Sequence, residues 1–139
     1  MNITFVQIIN LDFQKTICSL VEEEWLKKNK IILVVDNKLL LQRLDDTLWR
    51  FKRRAFIPHA TENDPFTSYQ PIYITSDTEK NDNNANILFS FVFDKIKLFD
   101  QVEKAIILFN KEQINKAREF YNQLKKSEYT LEYKKIDHS

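Results

Sequence analysis

Along this chain short apolar, β-branched runs alternate with stretches in which apolar residues recur every three or four positions, and that alternation predicts strands separated by helices. Ile3 to Ile9 reads as the first strand. Asp12 then offers an N-cap to a helix whose apolar stripe is Phe13, Ile17, Leu20, Val21 and Trp25, spaced to form one face. Lys27 and Lys28 suit the negative end of that helix, and Asn29 suits the left-handed residue that closes it. Ile31 to Val35 is a continuous apolar run, the pattern of a strand covered on both faces in a parallel sheet. Asp36 ends it and is placed to cap a second helix, which carries Leu39, Leu40, Leu44, Leu48 and Trp49 as far as the basic stretch Arg50 to Arg54.

The second half repeats the alternation. Residues 60–70 are polar, contain Pro65 and read as loop; Ile72 to Thr75 is a short strand; residues 76–86 are charged, asparagine-rich and expected to be mobile. Ile87 to Phe93 and Ala105 to Phe109 read as strands on either side of a short helix after Asp94. Glu112 to Ser127 reads as the last helix, and Leu131 to Ile136 as an added edge strand. The expected fold is therefore α/β: a single domain over residues 1–139 with an open, largely parallel sheet flanked by helices, because right-handed crossovers cover both faces.

Such a topology is Rossmann-like, yet the chain contains no glycine. The P-loop and the dinucleotide fingerprint both need glycine where backbone approaches phosphate, so a fold of this kind without its nucleotide site is expected. A nucleophile elbow of the Gly-x-Ser-x-Gly type is excluded for the same reason. Turns that want positive φ fall to Asn or Asp, and Asn29, Asn37, Asn63 and residues 81–86 stand where turns are expected. No apolar run approaches the ~20 residues of a membrane span, and the N-terminal run has neither a leading positive charge nor a small-residue cleavage site, so a cytoplasmic protein is expected. The net charge of +1 does not mark a strong nucleic-acid binder. Cys18 is the single cysteine and is expected in the core; with only His59 and His138 besides, neither a metal site nor any cofactor is expected.

Two short stretches carry more than fold. Leu44-Asp45, Leu48-Trp49 and then Phe56, Pro58 and His59 join a helix end to an extended exit through an aromatic hinge. In the last helix, Ala117-Arg118-Glu119-Phe120-Tyr121 sets Arg118 and Tyr121 three apart, on one helical face. Both stretches resemble the chi subunit of bacterial DNA polymerase III, which shows Leu-Asp, Leu-Trp and Phe-x-Pro-His in the first and Ala-Arg-Glu-x-Tyr or Trp in the second.

The resemblance implies a non-catalytic adaptor in DNA replication, a single chi-like domain linking the clamp-loader assembly to single-stranded DNA-binding protein. It gives Trp49 and Phe56, with Pro58, to the surface that engages the psi subunit or a substitute. It gives Arg118 and Tyr121 to the receptor for the acidic C-terminal tail of single-stranded DNA-binding protein, which ends in Pro-Phe with a free carboxylate. An Arg holds such a carboxylate through two charge-assisted hydrogen bonds, and a neighbouring aromatic packs against the terminal ring. The basic residue expected after the aromatic is Asn122 here, so Lys125 or Lys126 is expected to compensate. Contact with nucleic acid would be mainly indirect.

Plainer readings stand beside these. Trp49 and Phe56 can be core aromatics, and Arg118 can be a solvated helix charge paired with a carboxylate such as Glu112. A direct single-strand binder would use the basic, aromatic hinge 49–56, and tight binding is not expected of it in a near-neutral chain. A phosphoacceptor domain would use Asp36 with Asp12 and Lys111, but an N-cap accounts for Asp36 without it.

Overall fold

Each apolar run closes into a strand, and every strand pair is parallel. The structure is a computed structural model that describes residues 1–50, 58–65 and 70–137. In chain order the elements are β1 (Asn2–Ile9), α1 (Phe13–Leu26), β2 (Ile31–Val34), α2 (Lys38–Arg50), β3 (Ala60–Thr61), β4 (Ile72–Thr75), β5 (Ile87–Ser90), β6 (Lys104–Phe109), α3 (Ile114–Leu124) and β7 (Thr130–Asp137). The seven strands order as β3-β4-β2-β5-β6-β1-β7, so β1 and the last strand, β7, lie side by side at one edge. This is the open parallel α/β sheet that the alternation predicts.

The continuous apolar strands are explained by burial on both faces. Ile31 and Leu33 of β2 face a core shared with Ile17, Cys18 and Val21 of α1 and Leu41, Leu44 and Leu48 of α2. Ile32 and Val34 face the opposite core, filled by Ala117, Phe120 and Leu124 of α3 with Leu98 and Phe99. α1 and α2 thus cover one side of the sheet and α3 the other. Cys18 is buried as expected; burial pushes its thiol up to about 12, with Asp12 acting in the same direction.

Several local expectations are corrected. Asp12 does cap α1, its carboxylate accepting from the Lys15 N–H at 3.0 Å, but the helix closes with Lys28, not Asn29, at positive φ (67°). Asn10 and Asn84 take the other left-handed positions, each at φ 53°. Asn37 rather than Asp36 caps α2, accepting from the Leu40 N–H at 2.7 Å. On α2 the inward stripe is Leu41, Leu44 and Leu48, with Leu40 packed at its edge, while Leu39 and Trp49 are exposed because they fall on either margin of that face. The segment read as loop contains β3, paired to β4, and the short helix after Asp94 is a 3-10 helix, Lys97–Gln101.

Residues 76–86 are pinned rather than mobile. Asn83 is fully buried and its amide donates to Ile31 O and Gln70 O, while Asn81 and Ala85 exchange hydrogen bonds at 2.8 Å. The asparagine side chains there replace missing backbone partners, which is why a polar stretch without helix or strand stays in place.

Candidate functional site

On the α3 side of the sheet, at its carboxyl edge, a pocket of about 480 Å³ opens between α3 and the exposed edge strand β7. Its wall is a single helical stripe: Ile114, Ala117, Arg118, Tyr121 and Asn122 face it at intervals of three, one, three and one. Its floor comes from strand register. Phe5 of β1 stands beside Tyr133 of β7, and Gln7 stands between Phe109 of β6 and Lys135 of β7, so these side chains share one face. The Tyr121 ring meets Phe5 edge-on at 5.1 Å between centroids, and the Tyr133 hydroxyl donates to the Gln7 side-chain carbonyl.

The pocket therefore has an apolar, aromatic bottom and a basic rim. Arg118 and Lys135 are both exposed, they come from opposite walls, and neither pairs with a carboxylate among the described residues. No carboxylate lines the pocket among the described residues either. The alternative in which Arg118 is neutralised on its own helix finds no such ion pair. What this arrangement can do is take a ligand that offers an apolar ring to the floor and negative charge to the rim.

Of the residues singled out in the sequence, Arg118 and Tyr121 are brought together here. Lys125 is placed differently: its ammonium sits over the Tyr121 ring, 5.4 Å from the centroid, and is not among the pocket-lining groups. Sequence reasoning named none of Phe5, Gln7, Phe109, Tyr133 and Lys135 as a site residue. Nothing local marks them, since they reach the site through the pairing of β1 with β6 and β7.

The aromatic hinge lies on the other side of the sheet, at the end of α2. Leu44 and Leu48 point into the core, while Asp45 and Trp49 turn toward His59, just before β3. His59 is buried; its Nε2 lies 2.9 Å from Asp45 Oδ1, and the carboxylate accepts from the ring N–H. The Trp49 ring rests on the imidazole with centroids 4.8 Å apart, yet 55% of the residue remains exposed. The paired spacing of the motif is thus resolved into two inward leucines and two outer residues that hold a histidine. Pro58 is half-buried beside it, whereas Phe56 and the basic residues Lys52, Arg53 and Arg54 lie outside the described residues.

A larger groove, about 580 Å³, runs between α1 and α2, but the residues that line it, Gln14, Lys15, Arg43, Asp46, Thr47 and Arg50, are all polar or charged and include no aromatic ring. Among the described residues no cluster of three or more His, Cys, Asp or Glu is arranged to hold a metal ion, and no helix is long and apolar enough to cross a membrane.

Solved structures with the same fold include the Mss116p DEAD-box helicase domain 2 bound to an RNA duplex, with TM-score 0.67 and 12% identity over 100% of this chain and 65% of that one. A C-terminal domain of Saccharomyces cerevisiae Dbp5, bound to Gle1 and IP6, gives TM-score 0.61 and 9% identity over 96% and 90%. At such identities the likeness concerns the fold alone. A curated relative, "Probable DNA polymerase III subunit chi" of Rickettsia prowazekii (strain Madrid E), is 32% identical over 99 residues, 71% of this chain; the match spans about 59% of that protein's length. The family profile described as DNA polymerase III chi subunit, HolC, matches residues 1–132. With that match running through both the α2 hinge and the α3 stripe, the chain belongs to the DNA polymerase III chi subunit family.

Proposed function

We propose that this protein is a non-catalytic accessory subunit of the DNA polymerase III assembly that joins two partners through opposite sides of one sheet. The α3–β7 pocket receives the acidic C-terminal tail of single-stranded DNA-binding protein. The Trp49 face, with Phe56 and Pro58, docks psi or an equivalent clamp-loader component. Tethering at both faces raises effective concentration at the replicated strand, so modest single affinities are enough.

The observation that carries this reading is the pairing, in one pocket, of an aromatic floor with an Arg118 that meets no carboxylate among the described residues. A peptide ending in Phe with a free carboxylate matches both: the ring fills the floor beside Phe5 and Tyr121, and the carboxylate takes the guanidinium fork. Lys125, lying over the Tyr121 ring, braces that wall. At the other face Trp49 is an aromatic with most of its surface open and its base held, the usual profile of an interface anchor.

Fluorescence anisotropy of a labelled acidic peptide ending in Asp-x-x-Pro-Phe tests the tail reading. Saturable binding by the wild type is expected, weakened by about 1.5 to 3 kcal/mol in Arg118→Ala. A folded wild type that does not bind at low salt refutes it.

A further inference from the structure

We infer that Lys135 on β7 is the second cationic anchor of this pocket and takes a side-chain carboxylate of an extended acidic peptide, while Arg118 takes the terminal carboxylate. The inference rests on the tail-receptor reading above and assigns a role to a residue that neither the helix motif nor its spacing points to.

The register sets where Lys135 points. β7 runs parallel to β1 with Tyr133 beside Phe5, Lys134 beside Val6 and Lys135 beside Gln7. Val6 belongs to the core under α1, whereas Phe5 belongs to the core under α3. Alternation therefore sends Lys134 to the α1 side and Lys135 to the α3 side, into the pocket rim. Two adjacent lysines identical in composition thus differ completely in placement.

On the helix wall, the residue following the aromatic is Asn122, which lines the pocket but brings no charge. Lys125 is drawn over the outer ring of Tyr121 instead. Lys135 is then the lining ammonium, facing Arg118 across the floor. The division of labour follows from the two chemistries. A guanidinium on a helix presents a fixed fork that suits the terminal carboxylate next to the seated ring. An ammonium on a four-carbon stem from an exposed strand is a mobile point charge that suits carboxylates further up a peptide.

The test is a peptide-binding cycle with the full chain. Wild type, Arg118→Ala, Lys135→Ala, Lys135→Arg and Lys134→Ala are each titrated with the labelled acidic peptide, with its C-terminal amide, and with a version in which the upstream acidic residues are Asn. Thermal unfolding of each variant checks that the exposed substitutions leave the fold intact. Lys135→Ala is expected to weaken the acidic peptide about two- to fivefold, as loss of an exposed charge pair does, and Lys135→Arg to restore most of it. The Lys135→Ala loss disappears with the Asn peptide and persists with the amide; the Arg118→Ala loss shows the reverse. Lys134→Ala binds like wild type.

If Arg118→Ala loses binding and Lys135→Ala does not, the role of Lys135 is wrong and the tail reading stands. An equal loss in Lys134→Ala and Lys135→Ala reduces the effect to general charge and also overturns the assignment. If the folded wild type binds none of the three peptides, both the assignment and the reading beneath it fall.

Discussion

The hinge at the end of α2 and the pocket beside α3 are built in opposite ways. At the hinge, among the described residues, one helical turn meets one histidine fourteen residues after Asp45, and the outermost residue, Trp49, is more than half exposed. In the pocket, a helix stripe, two interior strands and an edge strand contribute, and the floor residues Phe5 and Phe109 are themselves fully packed. The first surface can therefore change its outer residue at small cost to the fold. The second cannot change its floor without changing the fold. A recognition surface carried on the rim of a structure is separable from stability, and one cut into the core is not.

That contrast can be broken or sharpened by mutation. The largest effect is expected from Phe5→Ala, which removes a fully buried ring and should cost about 3 to 5 kcal/mol of stability, read by denaturant unfolding, and spoil the pocket together with the core. Should stability hold and peptide binding alone fail, the floor would be less integral than the packing implies. Next comes Asp45→Ala, which takes from the buried His59 ring N–H its carboxylate acceptor. A cost of about 1 to 3 kcal/mol is expected, with a change in Trp49 fluorescence because its ring rests on that imidazole.

Trp49→Ala should do the reverse of Phe5→Ala. Stability changes by less than about 1 kcal/mol, while binding to a clamp-loader partner weakens by about 2 kcal/mol or more. A cooperative transition at much lower temperature would instead make Trp49 a core residue. Smallest at neutral pH, and growing only above about pH 9, is the pH dependence carried by Cys18. Because burial raises its folded pKa to about 12, above the 9.0 of an open thiol, the folded state holds the proton more tightly; its share of stability is present below about pH 9 and lost as pH rises toward 12. At neutral pH an alkylating reagent should label Cys18 only as fast as the chain opens.

The elements that sequence revealed well are those whose signal is local. β2 was legible because a run buried on both faces has no polar position, and α1 because Asp12 and the stripe behind it agree. Boundaries and caps slipped where two adjacent residues could play one part: Asn37 caps α2 rather than Asp36, and Lys28 rather than Asn29 accepts positive φ. The misreading of residues 76–86 has a different cause. Polar composition suggests exposure, but the side-chain amides of Asn83 and Asn86 find backbone partners far away in the chain, at Ile31 and Lys30, while Asn81 holds Ala85 four residues on.

By itself the amino-acid sequence determined the alternation of strands and helices, the absence of glycine-dependent phosphate sites, and the two motifs, because each of these depends on neighbours within a few residues. Tertiary structure alone decided which lysine of the pair 134 and 135 belongs to the pocket, that Phe5 and Phe109 floor it, and that His59 is the residue Asp45 and Trp49 hold. Those are consequences of strand order and register, which place β7 against β1 across more than a hundred residues of chain, and no periodicity within either strand encodes the partner it will find.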